Sequence, residues 1–202
     1  MNKLKPFDIP NSGNILDKDG EVLFFPGFFS PRKSDKIFTL LLQKIDWQQD
    51  KIKFYGKTIN LPRLTAWYGD NDKPYTYSGI QNNPQIWTSE LLEIKLKIEE
   101  IAKVKFTSVL LNLYRDGKDS VGWHCDDENE LGQNPVIGSV SFGETRTFKL
   151  RHLQDKIVKK IELTHGSFLL MKGETQHKWE HEIPKTSKKL DQRINLTFRV
   201  IK

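Results

Sequence analysis

The sequence predicts an α+β chain: a jelly roll of short strands buttressed by N-terminal helices. Three observations carry that expectation. Apolar residues recur at helical spacing in two stretches ahead of Lys103. From Lys105 onward the apolar period drops to two, in short segments separated by Gly, Pro, Asn or Asp. The 202 residues are 37% hydrophobic, with 12 Phe, 5 Trp and 5 Tyr, enough apolar surface for a substantial core.

Each element has a local reason. Residues 1–20 carry Pro6, Pro10, Gly13 and Gly20 and read as an N-terminal tail and turn. The remainder, 21–202, has no internal repeat, low-complexity tract or linker, and reads as one domain. Val22 to Phe25 is a brief strand. Ser30-Pro31 pairs an N-cap residue with a proline at the first helical position, and Ile37, Phe38, Leu41, Leu42 and Ile45 extend a helix over about 31–45. Lys51 to Ile59 looks like a hairpin turning near Gly56. Trp67 to Gly79, rich in Tyr, Asp, Asn and Gly, suggests an ordered surface loop. A second helix is expected over about 85–102, with Leu91, Leu92, Ile98, Ile101 and Ala102 on its apolar side. Strands follow at about 106–114, 121–126, 136–142, 146–152, 157–163, 167–172 and 193–200.

Composition narrows the function classes. Against 26 Asp and Glu stand 32 Lys and Arg, a net charge of +6 that suits a polyanionic partner but also ordinary solubility. Cys125 is the single cysteine, so an internal disulfide framework is excluded and a reducing compartment is expected. Any metal site must then draw on histidines and carboxylates. No apolar run approaches the ~20 residues of a bilayer span, and no signal-peptide core follows the N-terminal lysines. A membrane or secreted protein is not expected; a cytoplasmic one is, or a nuclear one in a eukaryote.

His124-Cys125-Asp126 is the sharpest local feature. Residues two apart on a strand share a face, so His124 and Asp126 project together and Cys125 points away. An imidazole and a carboxylate so placed need one more histidine to make the facial triad of non-haem Fe(II). His177 and His181, in His177-Lys178-Trp179-Glu180-His181, both qualify, and spacing does not choose between them. The segment precedes Pro184, which favours strand and turn over helix.

In the last strand, Arg193, Asn195, Thr197 and Arg199 fall on one face and Ile194, Leu196, Phe198 and Val200 on the other. The apolar set fits the core of a sandwich. Two guanidiniums on a polar inner face suit a small dicarboxylate, because Arg pairs bidentately with carboxylates. Asn112 and Tyr114 share a face in the same manner, opposite Val109, Leu111 and Leu113, and can add hydrogen bonds to the same ligand.

Taken together, Asn112-Leu113-Tyr114-Arg115-Asp116-Gly117, His124-Cys125-Asp126-Asp127-Glu128, Ser139-Val140-Ser141-Phe142-Gly143 and Arg193-Ile194-Asn195-Leu196-Thr197-Phe198-Arg199 resemble the AlkB family of Fe(II)- and 2-oxoglutarate-dependent dioxygenases, and most of all its branch that repairs alkylated duplex DNA. The resemblance covers about residues 20–200 and implies a double-stranded β-helix, in agreement with the strand count. It implies that His124, Asp126 and His181 hold the iron, and that Asn112, Tyr114, Arg193, Asn195, Thr197 and Arg199 surround 2-oxoglutarate. The implied chemistry activates O₂, decarboxylates the cosubstrate to succinate and hydroxylates an N-methyl group of 1-methyladenine or 3-methylcytosine. The product then falls apart to formaldehyde and the repaired base. The implied partner is alkylated DNA, duplex or single-stranded, with the same chemistry on RNA as the alternative, and the implied enzyme is a monomer.

Substrate handling follows from the same resemblance. The lesion must leave the stack to reach the iron. Tyr77, flanked by Tyr75 and Ser78, matches an aromatic that sandwiches the flipped base, and Asp127 and Glu128 match carboxylates beside the base edge. Tyr55, next to Gly56, matches the fingertip that fills the gap in the duplex. Arg63 and the loop bearing Lys185, Lys188 and Lys189 match phosphate contacts. Tyr stands at 55 and 77 where the family has Phe, Cys125 stands where Arg is common, and the basic loop has lysines in place of arginines.

Overall fold

Alternation of side chains after Lys105 folds the second half of the chain into strands of two antiparallel sheets, and the first half adds two edge strands and two helices to the larger one. The computed structural model describes residues 13–54, 56–70, 75–77, 80–82 and 84–202. In chain order the elements are β1 (Glu21–Phe25), α1 (Pro31–Lys44), β2 (Lys51–Phe54), β3 (Lys57–Asn60), β4 (Leu64–Gly69), β5 (Tyr75–Tyr77), β6 (Ile80–Asn82), α2 (Ser89–Ala102), β7 (Ser108–Tyr114), β8 (Val121–His124), β9 (Ile137–Gly143), β10 (Arg146–His152), β11 (Val158–Leu163), β12 (Ser167–Lys172), α3 (Thr175–Lys178), β13 (Trp179–Ile183) and β14 (Arg193–Arg199).

The larger sheet runs β1-β12-β9-β14-β7-β4 and the smaller β11-β10-β13-β8, while β2–β3 and β5–β6 are separate hairpins. This is the expected jelly roll. The β2–β3 hairpin turns at Gly56, whose φ of 76° lies in the left-handed region that glycine tolerates.

Both helices lie on the outer face of the larger sheet. Ile37 and Leu41 of α1 and Leu91, Ile94 and Ile98 of α2 are buried in one cluster with Val109, Leu111, Val140, Phe142, Ile194, Leu196 and Phe198. Burying each such side chain contributes about 1.5–3 kcal/mol. A second cluster fills the space between the sheets: Leu110, Ile137, Leu169 and Met171 meet Phe148, Leu150, Ile161, Leu163 and Ile183. The larger sheet is therefore covered on both faces, which corrects one expectation. The apolar face of β14 lies under the helices, and its Arg-Asn-Thr-Arg face is the one that looks into the sandwich.

Two boundaries also differ from expectation. Residues 67–69, expected to open a surface loop, instead end β4, a strand of the larger sheet with Ala66, Trp67 and Tyr68 buried. A strand covered on both faces loses the polar-apolar alternation that marks a half-exposed one. Helix α2 begins at Ser89, not near 85, because the Thr88 hydroxyl accepts a hydrogen bond from the Leu91 amide at 3.3 Å and caps it there.

Candidate active site

Strand pairing assembles the site. β13 lies between β10 and β8, and its His181 sits directly across from His124 of β8. Their ring centroids are 4.2 Å apart. One ligand atom each from His124, Asp126 and His181 falls within 4.8 Å of the others, the one such cluster among the described residues. The His124 Nδ1 lies 2.8 Å from the Gly122 carbonyl, to which it donates in the tautomer that leaves Nε2 available to a metal. β8 ends at His124 rather than at 126, so Cys125 and Asp126 follow the strand, and the Cys125 side chain points away from the cluster. Its thiol approaches the Trp179 carbonyl at 3.5 Å, and burial, with Asp127 and Glu180 nearby, pushes it up to about 11.

His177 is not in the cluster. It sits on the single helical turn α3, exposed, and its Nε2 accepts a hydrogen bond from the Asn134 amide at 3.2 Å. The boundary between α3 and β13 falls between the two histidines, so they project from different elements. The short helix itself departs from the strand-and-turn expectation for this segment.

Electrostatics suit a divalent cation. Asp126 is 1% exposed; burial alone would raise its carboxyl, but Arg199 and the two imidazoles outweigh it and hold the group at about 2. Arg199 Nη2 donates to Asp126 Oδ1 at 2.7 Å. Burial, aided by His124, keeps His181 neutral, down at about 3. Two imidazoles and one ionised carboxylate are the donor set of a facial Fe(II) site, and they fit that metal.

Beside the triad, a cavity opens between the sheets, lined by Asn112, Tyr114, Arg193, Asn195 and Thr197. The register of β14 against β7 places Arg193 opposite Tyr114 and Asn195 opposite Asn112. Arg193 is 1% exposed, its Nη2 donates to Ser141 Oγ at 2.9 Å, and its Nε and Nη1 have no hydrogen-bond partner among the described residues. Burial lowers the guanidinium to about 10, with Tyr114 opposing that shift. A buried cation with open donors fits a carboxylate of a small acid. Asn195 donates to Ser139 Oγ at 2.8 Å and accepts from the Thr197 hydroxyl at 3.0 Å, so Thr197 orients Asn195.

The substrate-facing expectations fare differently. Asp127 is exposed and Glu128 half-buried immediately after the metal-facing carboxylate. Lys185, Lys188 and Lys189 are exposed on the loop between β13 and β14. Tyr55 and Ser78 lie outside the described residues, as do the side chains of Tyr75 and Tyr77; Gly56 is the turn of the β2–β3 hairpin. Arg63 is a correction. Only 4% exposed, it donates from Nε to Asn112 Oδ1 at 2.7 Å and from Nη1 to the Ser120 carbonyl at 3.2 Å. It forms a wall of the cavity, with those donors turned inward, away from any phosphate on the surface.

Two further side chains support the site without having been expected. Gln176, 1% exposed on α3, accepts the Asp126 amide on its Oε1 at 2.9 Å. Arg146 opens β10 and packs 5.5 Å from the Tyr114 ring centroid. Its signal is legible: Arg146 is in phase with Phe148 and Leu150, which face inward.

Comparison with known proteins agrees with this geometry. The profile of the 2OG-Fe(II) oxygenase superfamily matches residues 21–199. The rat alpha-ketoglutarate-dependent dioxygenase alkB homolog 3 is 43% identical over 190 residues, which are 89% of this chain and 64% of the rat protein. The human protein of that name is also 43% identical, with 66% of its length covered. The chain thus spans just under two thirds of these relatives. The mouse DNA oxidative demethylase ALKBH2 is 37% identical over 86% of this chain and 77% of its own length. The solved structure of OsALKBH1 superposes with a TM-score of 0.61 at 18% identity, over 88% of this chain and 97% of that one, a likeness of fold.

Proposed function

The chain belongs to the AlkB group of the 2OG-Fe(II) oxygenase superfamily, and from that premise we propose that residues 21–202 form one catalytic domain that oxidatively removes methyl groups from DNA bases, 1-methyladenine and 3-methylcytosine among them. Fe(II) and 2-oxoglutarate, when bound, would supply the O₂ activation and decarboxylation that hydroxylate the N-methyl carbon; the product breaks down to formaldehyde and the repaired base, still in its strand.

Each residue then has a defined task. His124, Asp126 and His181 hold the metal, and Arg199 keeps the Asp126 carboxylate ionised and oriented. Arg193 pairs with a carboxylate of the cosubstrate, and Asn112, Tyr114 and Asn195 supply hydrogen bonds around it. Tyr77, with Tyr75 and Ser78, flanks the extruded base, Asp127 and Glu128 meet its edge, and Tyr55 with Gly56 fills the vacated stack. Lys185, Lys188 and Lys189 meet phosphates. The protein acts as a monomer in the cytoplasm, or the nucleus of a eukaryote; no helix of the described residues is long and apolar enough to cross a membrane.

The observation that carries this reading is one cavity lined by both the His-Asp-His cluster and a buried guanidinium with open donors. The test is release of succinate and formaldehyde from a 3-methylcytosine oligonucleotide. Stoichiometric, iron-dependent release of both is expected, and Fe(II) binding with neither product would make the chain a non-catalytic jelly-roll module. A second reading keeps the chemistry and changes the strand to RNA or single-stranded nucleic acid. It is favoured by identity to alkB homolog 3 (43%) exceeding that to ALKBH2 (37%), the relative whose name specifies DNA. Relative turnover on methylated duplex, single-stranded DNA and RNA separates the two.

A further inference from the structure

Two loops join cavity-lining residues, Tyr114 to Val121 and Ile183 to Arg193, and one buried guanidinium holds both. The first, residues 115–120, follows β7 and exposes Arg115 and Lys118; the second, residues 184–192, follows β13 and exposes Lys185, Lys188 and Lys189. Arg146 is 3% exposed beneath them. Its Nη1 donates to the Asp116 carbonyl at 3.2 Å, and its Nη2 donates to the carbonyls of Asp119 at 2.9 Å and Pro184 at 2.7 Å.

The loops also touch each other directly. The Thr186 amide donates to the Gly117 carbonyl at 2.8 Å, and a Cβ added at Gly117 would come within 2.7 Å of the Lys188 carbonyl oxygen and 2.8 Å of that of Thr186. Backbone oxygens do not yield to such an approach as a flexible side-chain end would. At the other end of the second loop, the Glu144 amide donates to the Gln192 carbonyl at 2.9 Å. Below the loops, Tyr114 has the Arg146 guanidinium carbon 5.5 Å from its ring centroid and that of Arg193 5.0 Å away. Arg146 therefore links the two basic loops to Tyr114 in the cavity wall.

We propose that Arg146 is a positioning residue for a polyanionic strand: it clasps the two basic loops at a fixed height above Tyr114, so that their cations meet backbone phosphates while a base reaches the triad. The proposal rests on the nucleic-acid reading above only for the identity of the strand. Carbonyl oxygens of both loops converge on one buried cation, which couples their movement. A neutral side chain at this position takes the donor from three carbonyls, that of buried Asp119 among them, and frees both loops.

The test compares Arg146→Met, Arg146→Lys and Gly117→Ala, the last prying the loops apart with the guanidinium intact. Hydrogen exchange of the metal-free chain needs no substrate. Residues 115–120 and 184–192 should exchange faster together in Arg146→Met and Gly117→Ala, with β10 and β13 unchanged. With a methylated oligonucleotide, KM should rise about tenfold while kcat moves far less. The slope of log KM against log salt should fall by about one for each phosphate that the loops no longer neutralise. Arg146→Lys, which keeps the charge and one or two of the bonds, should recover part of both. A fall in kcat with KM and salt slope unchanged means Arg146 only maintains folded protein, and the proposal is wrong. So does unaltered exchange at both loops in Gly117→Ala, should Arg146→Met fail to fold. If the wild-type chain releases no succinate or formaldehyde from any methylated strand, the functional reading fails, and the exchange data still decide whether the clasp exists.

Discussion

On the helix side of β14, Ile194, Leu196 and Phe198 are wholly buried among apolar neighbours; on the other side, Arg193, Asn195, Thr197 and Arg199 are nearly as buried, yet line a cavity. Burial stabilises the first set directly. It penalises the second unless each polar group finds a partner. Asn195 and Thr197 satisfy one another, and Arg199 has the Asp126 carboxylate, but Arg193 keeps two nitrogens open. A single strand thus carries stability on one face and an unmet demand for a ligand on the other.

That contrast can be broken at four points. The largest effect is expected from Asp126→Ala, which removes a metal donor and takes from Arg199 its buried counter-charge. Iron-dependent succinate release should fall to background, and urea unfolding should show a loss of about 3–5 kcal/mol. Next comes Phe198→Ala on the helix side, where the ring stacks on Trp87 and tilts against Phe106. A loss of about 3–5 kcal/mol in unfolding free energy is expected, with the cosubstrate KM of the folded fraction unaltered.

Arg193→Met should do the reverse. Its 2-oxoglutarate KM should rise about 10- to 100-fold, since a charged hydrogen-bonded pair is worth about 1.5–3 kcal/mol. Its unfolding free energy should stay within about 1 kcal/mol of wild type, as an apolar side chain replaces a half-satisfied buried cation. Destabilisation as large as that of Phe198→Ala would make the polar face structural and erase the distinction. The smallest effect is assigned to His177→Ala. Fe(II) binding, followed by calorimetry, should change by less than about twofold, within the ±0.5 kcal/mol typical of surface positions. An effect equal to that of His181→Ala would overturn the ligand assignment.

Much of this architecture is legible in the residues alone. Period-two alternation marks β14, β7 and β10, and the two-residue spacing anticipates the meeting of His124 with Asp126, although β8 ends at His124. What alternation does not show is which face of β14 the helices cover, because both faces are buried and only tertiary packing ranks them. The same double burial hides β4, where Thr65-Ala66-Trp67-Tyr68 has no polar side to display. Spacing does not separate His177 from His181, since a helix-to-strand boundary falls between them. A buried arginine has no sequence signature except being in phase with inward-facing neighbours, as Arg146 is with Phe148 and Leu150; charge alone reads Arg63 as a surface contact.

His124 lies on β8, the free edge of the smaller sheet, while His181 lies on β13, which has a neighbour on each side. The β8–β13 pairing is also irregular, shifting register between His181 and Ile183. The least tethered strand of the roll therefore contributes one jaw of the site, and an ion gripped between the jaws acts as a rivet across that seam. Ferrous loading should then raise the melting temperature and slow exchange along β8 more than along β13. The gain in resistance to unfolding is about 2.7 kcal/mol when the free ion stands at a hundred times its dissociation constant. Chelators would loosen that flank of the roll before they unfolded the rest.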